Sequence, residues 1–164
     1  MSEANKDKLS GLTTVKEIMD TATSFEIVAR DFYTALIPKV SKNIRWLAKE
    51  LAEEEQGHVD LFTTLANDPK VSAVMAEKIA RPVADGKFSD CVQVPDLGDT
   101  PDDQTVLQYA LLRETAAMEQ YTELAASAPE GPLKEAFTFL ANEEAEHKEE
   151  LEKIYYEVVH SGGV

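Results

Sequence analysis

Two tetrapeptides carry the residue types best suited to chemistry: Glu55-Gln56-Gly57-His58 and Glu144-Ala145-Glu146-His147. Each is a Glu-x-x-His. On a helix, residues i and i+3 share a face with Cβ atoms roughly 5–6 Å apart, so the carboxylate and the imidazole can grip one ion. Carboxylate oxygen with imidazole nitrogen suits iron or manganese.

The flanking residues set both pairs on helices and turn them inward. Around the first, apolar residues recur at Ile44, Leu47, Leu51, Leu61, Phe62 and Leu65; around the second, at Leu133, Phe137, Leu140, Leu151, Ile154 and Val158. These steps of three and four mark one buried helix face. Carried through its gap, each series lands on the Glu and the His. An ionised carboxylate taken out of water costs several kcal/mol unless it is paired or binds a metal. The plainer reading, surface positions in Glu-rich helices, would have to fail twice in the same way.

The pattern predicts four long helices. The first spans about Thr14 to Ile37, with Thr14-Val15-Lys16-Glu17 as a capping box and Pro38 as its stop. Its inward stripe is Ile18, Ala22, Phe25, Ala29, Phe32 and Leu36, with Glu26 and Tyr33 on or beside it. The second is capped by Ser41 and runs to Ala66, with Trp46 at its edge. A short helix over 69–81 follows Pro69, through Val71, Val74, Met75 and Ile79. From 81 to 100 the periodicity dissolves into a proline-containing crossover, the connection that joins one helical hairpin to the next. Thr100-Pro101-Asp102-Asp103 then opens a third helix through Leu107, Leu111, Glu114, Met118, Tyr121 and Leu124. After the turn at Pro129–Pro132, the fourth runs to about His160.

The halves repeat. At an offset of 88, Glu26, Ala29, Tyr33 and Leu36 fall on Glu114, Ala117, Tyr121 and Leu124; at 89, Leu51, Glu54, Glu55 and His58 fall on Leu140, Glu143, Glu144 and His147. Two hairpins related by an approximate two-fold would bring four carboxylates (Glu26, Glu55, Glu114, Glu144) and two imidazoles (His58, His147) into one core. One Glu from each of two helices, with Glu-x-x-His from each of the others, is the constellation of ferritin-like di-iron proteins. The expected fold is an all-α, ferritin-like four-helix bundle.

Composition is compatible with this. The 164 residues suffice for one core, so a single domain over 1–164 is expected, with 1–11 as a flexible N-terminal segment. A net charge of −15 disfavours nucleic acid and anionic membranes as partners. No apolar run approaches the ~20 residues of a membrane span, and the first residues lack the apolar stretch of a signal peptide, so a cytoplasmic location is expected. The lone Cys91 excludes a Cys-x-x-Cys metal site, and is read as a small residue in a connection. No nucleophile signature accompanies the serines, so no hydrolase is expected.

Through Glu26 with Tyr33, Glu54-Glu55-x-x-His58, Glu114 with Tyr121, and Glu143-Glu144-x-x-His147, the chain resembles the rubrerythrin family over about residues 12–160. The resemblance implies two iron ions (manganese is the alternative), with Glu55 and Glu144 bridging, Glu26 and Glu114 terminal, and His58 and His147 as nitrogen ligands. It implies that Tyr33 and Tyr121 hydrogen-bond ligand carboxylates; the simpler role for each is a core aromatic with a satisfied hydroxyl. Glu54 and Glu143 are read as solvated or supporting, and His160 as a residue at a helix C-terminus. The implied activity is Fe²⁺ oxidation with reduction of peroxide or O₂, in a homodimer.

Two departures from the family stand out. Typical rubrerythrins add a four-cysteine rubredoxin domain; here an electron donor would have to be external. They also carry an extra Glu three residues after the third-helix ligand, where this chain has Ala117; Glu119 is about 140° away round the helix and cannot replace it. Iron binding or delivery without fast turnover is one alternative. A metal-structural helical module that binds a partner is another.

Overall fold

The computed structural model describes residues 11–82, 88 and 96–162. Two long antiparallel hairpins dominate it. The first pairs α1 (Val15–Leu36) with α2 (Arg45–Ala66), and the second pairs α4 (Asp103–Ser127) with α5 (Pro132–Glu157). Between them lie a single helical turn, α3 (Pro69–Ser72), and a short strand, β2 (Lys78–Ala80), which pairs with β1 (Leu12–Thr14). The architecture is the all-α, ferritin-like bundle that the periodicity predicts. None of its described helices is long and apolar enough to cross a membrane.

Helix starts follow side-chain chemistry. Thr14 Oγ1 accepts from the Glu17 N–H at 3.1 Å, as the capping box requires. The next donors of α1 find tertiary partners: the Val15 N–H reaches Glu77 O at 2.9 Å and the Lys16 N–H reaches Met75 O at 3.0 Å. Two caps differ from expectation. α4 is capped by Asp102, whose Oδ1 accepts from the Thr105 N–H at 2.7 Å, rather than by Thr100. α2 starts after Ile44 with no side-chain cap, and Ser41 instead donates to Asp103 Oδ2 at 3.0 Å. The α1–α2 turn is closed by Arg45, whose Nε and Nη2 donate to the carbonyls of Ile37 and Val40, both at 3.0 Å. At the other hairpin, Gly131 precedes Pro132 with φ of 132°, a conformation that favours glycine.

The expected helix over 69–81 stops at Ser72. Residues 78–80 are a strand instead, in register Leu12↔Ala80, Thr13↔Ile79 and Thr14↔Lys78. Ile79 points into the core between exposed neighbours, a period of two. The strand owes its existence to a partner more than sixty residues earlier, which local periodicity cannot reveal. Gly11, expected in a flexible segment, accepts from the Arg81 N–H through its carbonyl. Residues 1–10, and residues 83–87 and 89–95 of the crossover with Cys91, lie outside the described residues. Of the crossover's middle, Phe88 is buried and stacked on Phe25 at 4.1 Å between ring centres. At the C-terminus, α5 gives way to a π-turn over Val158–Gly162.

The interior is apolar at both ends and polar between. One cluster gathers Ile18, Ala22, Phe25, Phe62, Tyr121, Phe137 and Leu140; the other gathers Ala29, Phe32, Leu36, Leu47, Leu51, Leu107 and Leu151. Every long helix crosses from one to the other by way of a buried carboxylate. Burying each large apolar side chain contributes roughly 1.5–3 kcal/mol, and this packing holds the polar layer out of water. On α4 the buried stripe is Leu107, Ala110, Glu114, Ala117, Tyr121 and Leu124, while Leu111 and Met118 are only half-buried.

Candidate metal centre

α1 contributes Glu26 to the polar layer, α2 contributes Glu55 and His58, α4 contributes Glu114, and α5 contributes Glu144 and His147. All six are buried, from 0% exposure at Glu26 to 8% at His147. The inward placement read from the 3-4 spacing is therefore what the fold produces, including the approach of two hairpins that are distant in sequence.

Two overlapping groups result. Donor atoms of Glu26, Glu55, His58 and Glu144 all lie within 4.8 Å of one another, and so do those of Glu114, Glu144 and His147. Glu144 belongs to both. His58 Nδ1 faces the first group, 3.3 Å from Glu26 Oε2, 3.4 Å from Glu55 Oε2 and 3.3 Å from Glu144 Oε1. His147 Nδ1 faces the second, 3.7 Å from Glu114 Oε2 and 4.0 Å from Glu144 Oε2. The rings lie 6.4 Å apart, nearly parallel.

The tyrosines and the remaining glutamates cross between hairpins. Tyr121 on α4 donates to Glu26 Oε1 at 2.6 Å, and Tyr33 on α1 reaches Glu114 Oε1 at 3.5 Å. Glu143 Oε1 lies 3.4 Å from His58 Nε2, and Glu54 Oε2 lies 3.1 Å from His147 Nε2. Each imidazole thus has a carboxylate at its outer nitrogen and turns its inner nitrogen to the cluster. A carboxylate so placed fixes ring orientation and tautomer in metal-binding histidines. Glu54 and Glu143 are partly exposed, as expected for supporting groups. His160 is exposed on the π-turn, against Tyr156 and outside the polar layer.

Electrostatics split the carboxyls into two kinds. Burial pushes Glu55 well above the usual carboxyl range, and the neighbouring Glu26 and Glu114 push it further. Burial does the same to Glu144, reinforced by Glu114, Glu55 and Glu26. Burial also opposes ionisation of Glu26, but hydrogen bonding to Glu55, His58 and Tyr121 holds it below the usual range. Glu114 is lowered likewise, against burial, by Glu144 and His147. Burial would depress both imidazoles, yet Glu143, Glu26 and Glu55 raise His58 far above its ordinary value. Glu114 and Glu54 push His147 up to about 10.

Unsatisfied atoms test whether a cation belongs here. Among the described residues, neither oxygen of Glu144 has a hydrogen-bond partner, and the same holds for Glu114 Oε2 and His147 Nδ1. Leaving such groups unpaired in a dry core costs about 1–3 kcal/mol each, more if charged. These atoms all belong to the group of Glu114, Glu144 and His147, and Glu144 is shared with the other group, so the donor set fits metal ions and the buried Glu/His cluster is compatible with a di-iron site.

Sequence reasoning missed two buried polar side chains on α4, Arg113 and Gln120. The Arg113 guanidinium lies over the rings of Phe25, Phe32 and Tyr109, 4.9, 5.7 and 5.6 Å from their centres, and donates to the Tyr109 hydroxyl. The available signal was its place directly before Glu114, beside an inward-facing position.

Comparison with known proteins agrees with the geometry. The Rubrerythrin family model matches residues 105–161, which span nearly all of α4, all of α5 and most of the π-turn. The matched stretch contains Glu114, Tyr121, Glu144 and His147. No curated protein and no solved structure matches the chain.

Proposed function

We propose that this chain, whose second hairpin matches the Rubrerythrin family model, is a di-iron carboxylate oxidoreductase that oxidises Fe²⁺ with hydrogen peroxide or O₂. The carrying observation is Glu144: fully buried, with neither oxygen hydrogen-bonded, and in reach of both histidine-bearing groups. Within one domain, Glu55 and Glu144 would bridge the ions, Glu26 and Glu114 would bind one each, and His58 and His147 would bind through Nδ1. Manganese fits the same donors.

When bound, two irons supply two electrons, enough to reduce one peroxide to two waters with two protons. The protein's own contribution is geometry and proton control. Tyr121 donates to one oxygen of Glu26 and Tyr33 reaches one oxygen of Glu114; the other oxygen of Glu26 faces His58 Nδ1 at 3.3 Å, and that of Glu114 has no hydrogen-bond partner. Glu54 lies 3.1 Å from the outer nitrogen of His147 and Glu143 3.4 Å from that of His58, so each ring has a carboxylate outside it and its Nδ1 inside. The apolar clusters above and below exclude water from the layer. A homodimer is what the family resemblance implies.

A slower iron-handling role is the second reading, and Ala117 favours it. That residue is buried one turn beyond Glu114, where rubrerythrins carry a further carboxylate. Anaerobic loading with Fe²⁺ followed by rapid mixing with peroxide separates the two. Two irons per chain with oxidation in milliseconds to seconds supports the oxidoreductase; two irons with oxidation over minutes supports iron handling. Retained stoichiometry in both Glu55→Ala and Glu144→Ala would refute the ligand assignment.

A further inference from the structure

The two halves of the centre are related by the internal repeat, yet their inward-facing contacts differ, all in the same direction. On the first side, the tyrosine–carboxylate bond (Tyr121 to Glu26) is 2.6 Å; its counterpart (Tyr33 to Glu114) is 3.5 Å. His58 Nδ1 lies within 3.4 Å of three carboxylates, whereas His147 Nδ1 comes no nearer than 3.7 Å to Glu114 and 4.0 Å to Glu144. Four donor residues converge on the first side and three on the second. Glu55, the symmetry mate of Glu144, belongs only to the first group.

The cause lies at the outer nitrogens. His147 Nε2 is 3.1 Å from Glu54, closer than the 3.4 Å between His58 Nε2 and Glu143. His147 leans toward the rim and is more exposed than His58, 8% against 3%. One imidazole is drawn into the carboxylates and the other away from them.

We propose that the two cation positions fill in order. The position formed by Glu26, Glu55, His58 and Glu144 binds first and more tightly. The position formed by Glu114, Glu144 and His147 binds second, more weakly, and exchanges its ion. The inference rests on the reading that the centre binds divalent cations. Preorganised donors lose less on binding, and the second position offers one donor residue fewer with its imidazole standing farther from its carboxylates. A chain built this way can hold a half-loaded state with one resident ion and one exchangeable ion.

Titration of the metal-free full chain with Mn²⁺, followed by equilibrium dialysis and electron paramagnetic resonance, tests this directly. Two steps are expected, with dissociation constants at least about tenfold apart, the scale on which orienting partners alter metal affinity. Near one equivalent, the hyperfine-split signal of isolated Mn²⁺ should dominate, and it should give way to a coupled-pair signal as the second position fills. His147→Gln should remove the second step and leave the first; His58→Gln should weaken the first. Two ions bound with equal constants, or cooperatively with no isolated-ion signal, would overturn the ordering and leave the centre itself standing. No Mn²⁺ bound at all would overturn both.

Discussion

Metal loading of this centre should be an exchange of ions for protons, in a ratio that the buried charges set. In the metal-free protein, burial and the neighbouring carboxyls push Glu55 and Glu144 toward the protonated form, while hydrogen bonding holds Glu26 and Glu114 toward the ionised form. His58 and His147 are cationic, the latter with a value near 10. With two divalent ions held by Nδ1 of each ring, both imidazoles must be neutral, so loading releases at least two protons, one each from His58 and His147. The raised Glu55 and Glu144, which must also ionise to bind, add to that release. By linkage, the overall constant for binding both ions should rise at least about 10²-fold per pH unit around neutrality. Calorimetric Mn²⁺ titration in two buffers of different ionisation enthalpy counts the protons directly. Glu144→Gln, which has no proton to lose, should reduce the count by one. Release of fewer than two protons from the native chain would mean that an imidazole is already neutral before the ions bind, and the reasoning would fail.

Stability of the metal-free protein should carry the same signature. A raised folded value makes the contribution of His147 complete below its ordinary 6.5 and lost as pH rises through about 10. The raised Glu55 and Glu144 act in the same sense, with their contribution complete below about 4.5 and lost as pH climbs through their raised values. The thermal midpoint of metal-free protein should therefore fall between neutral pH and pH 10, and loading with Mn²⁺ should flatten that decline; a flat metal-free profile would contradict it. Phe137→Ala should cost about 3–5 kcal/mol in urea unfolding, because its fully buried ring packs against Phe62 and Tyr121. Thr14→Ala should cost about 1 kcal/mol in the same assay, from the lost cap of α1. His160→Ala should leave metal stoichiometry unchanged, since that imidazole is exposed outside the polar layer.

How far the chain could be read from its letters depends on the range of the interaction. Steps of three and four residues placed Glu26, Glu55, His58, Glu114, Glu144 and His147 on buried stripes, because helical geometry is local and one period governs the whole element. The repeat at offsets of 88 and 89 added the expectation that the two hairpins meet. The same locality explains the failures. Residues 78–80 look helical by spacing but extend, because β1 offers them a ladder. Ser41 looks like a cap but bonds Asp103 on another hairpin. Leu111 and Met118 look like core, yet a slight rotation of α4 buries Ala110 and Ala117 instead.

By itself, then, the sequence determined which side chains face the interior and that four carboxylates and two imidazoles must share it. Tertiary structure alone decided who touches whom. Tyr121 bonds Glu26 and Tyr33 reaches Glu114, each across the hairpins, and Glu54 and Glu143 each hold the histidine of the opposite half. The repeat makes the two halves equal on paper, but His58 Nδ1 lies 3.3 Å from Glu26 while His147 Nδ1 lies 3.7 Å from Glu114. Periodicity carries no information about helix rotation or the distance between hairpins, and those set how the donors of the polar layer are spaced.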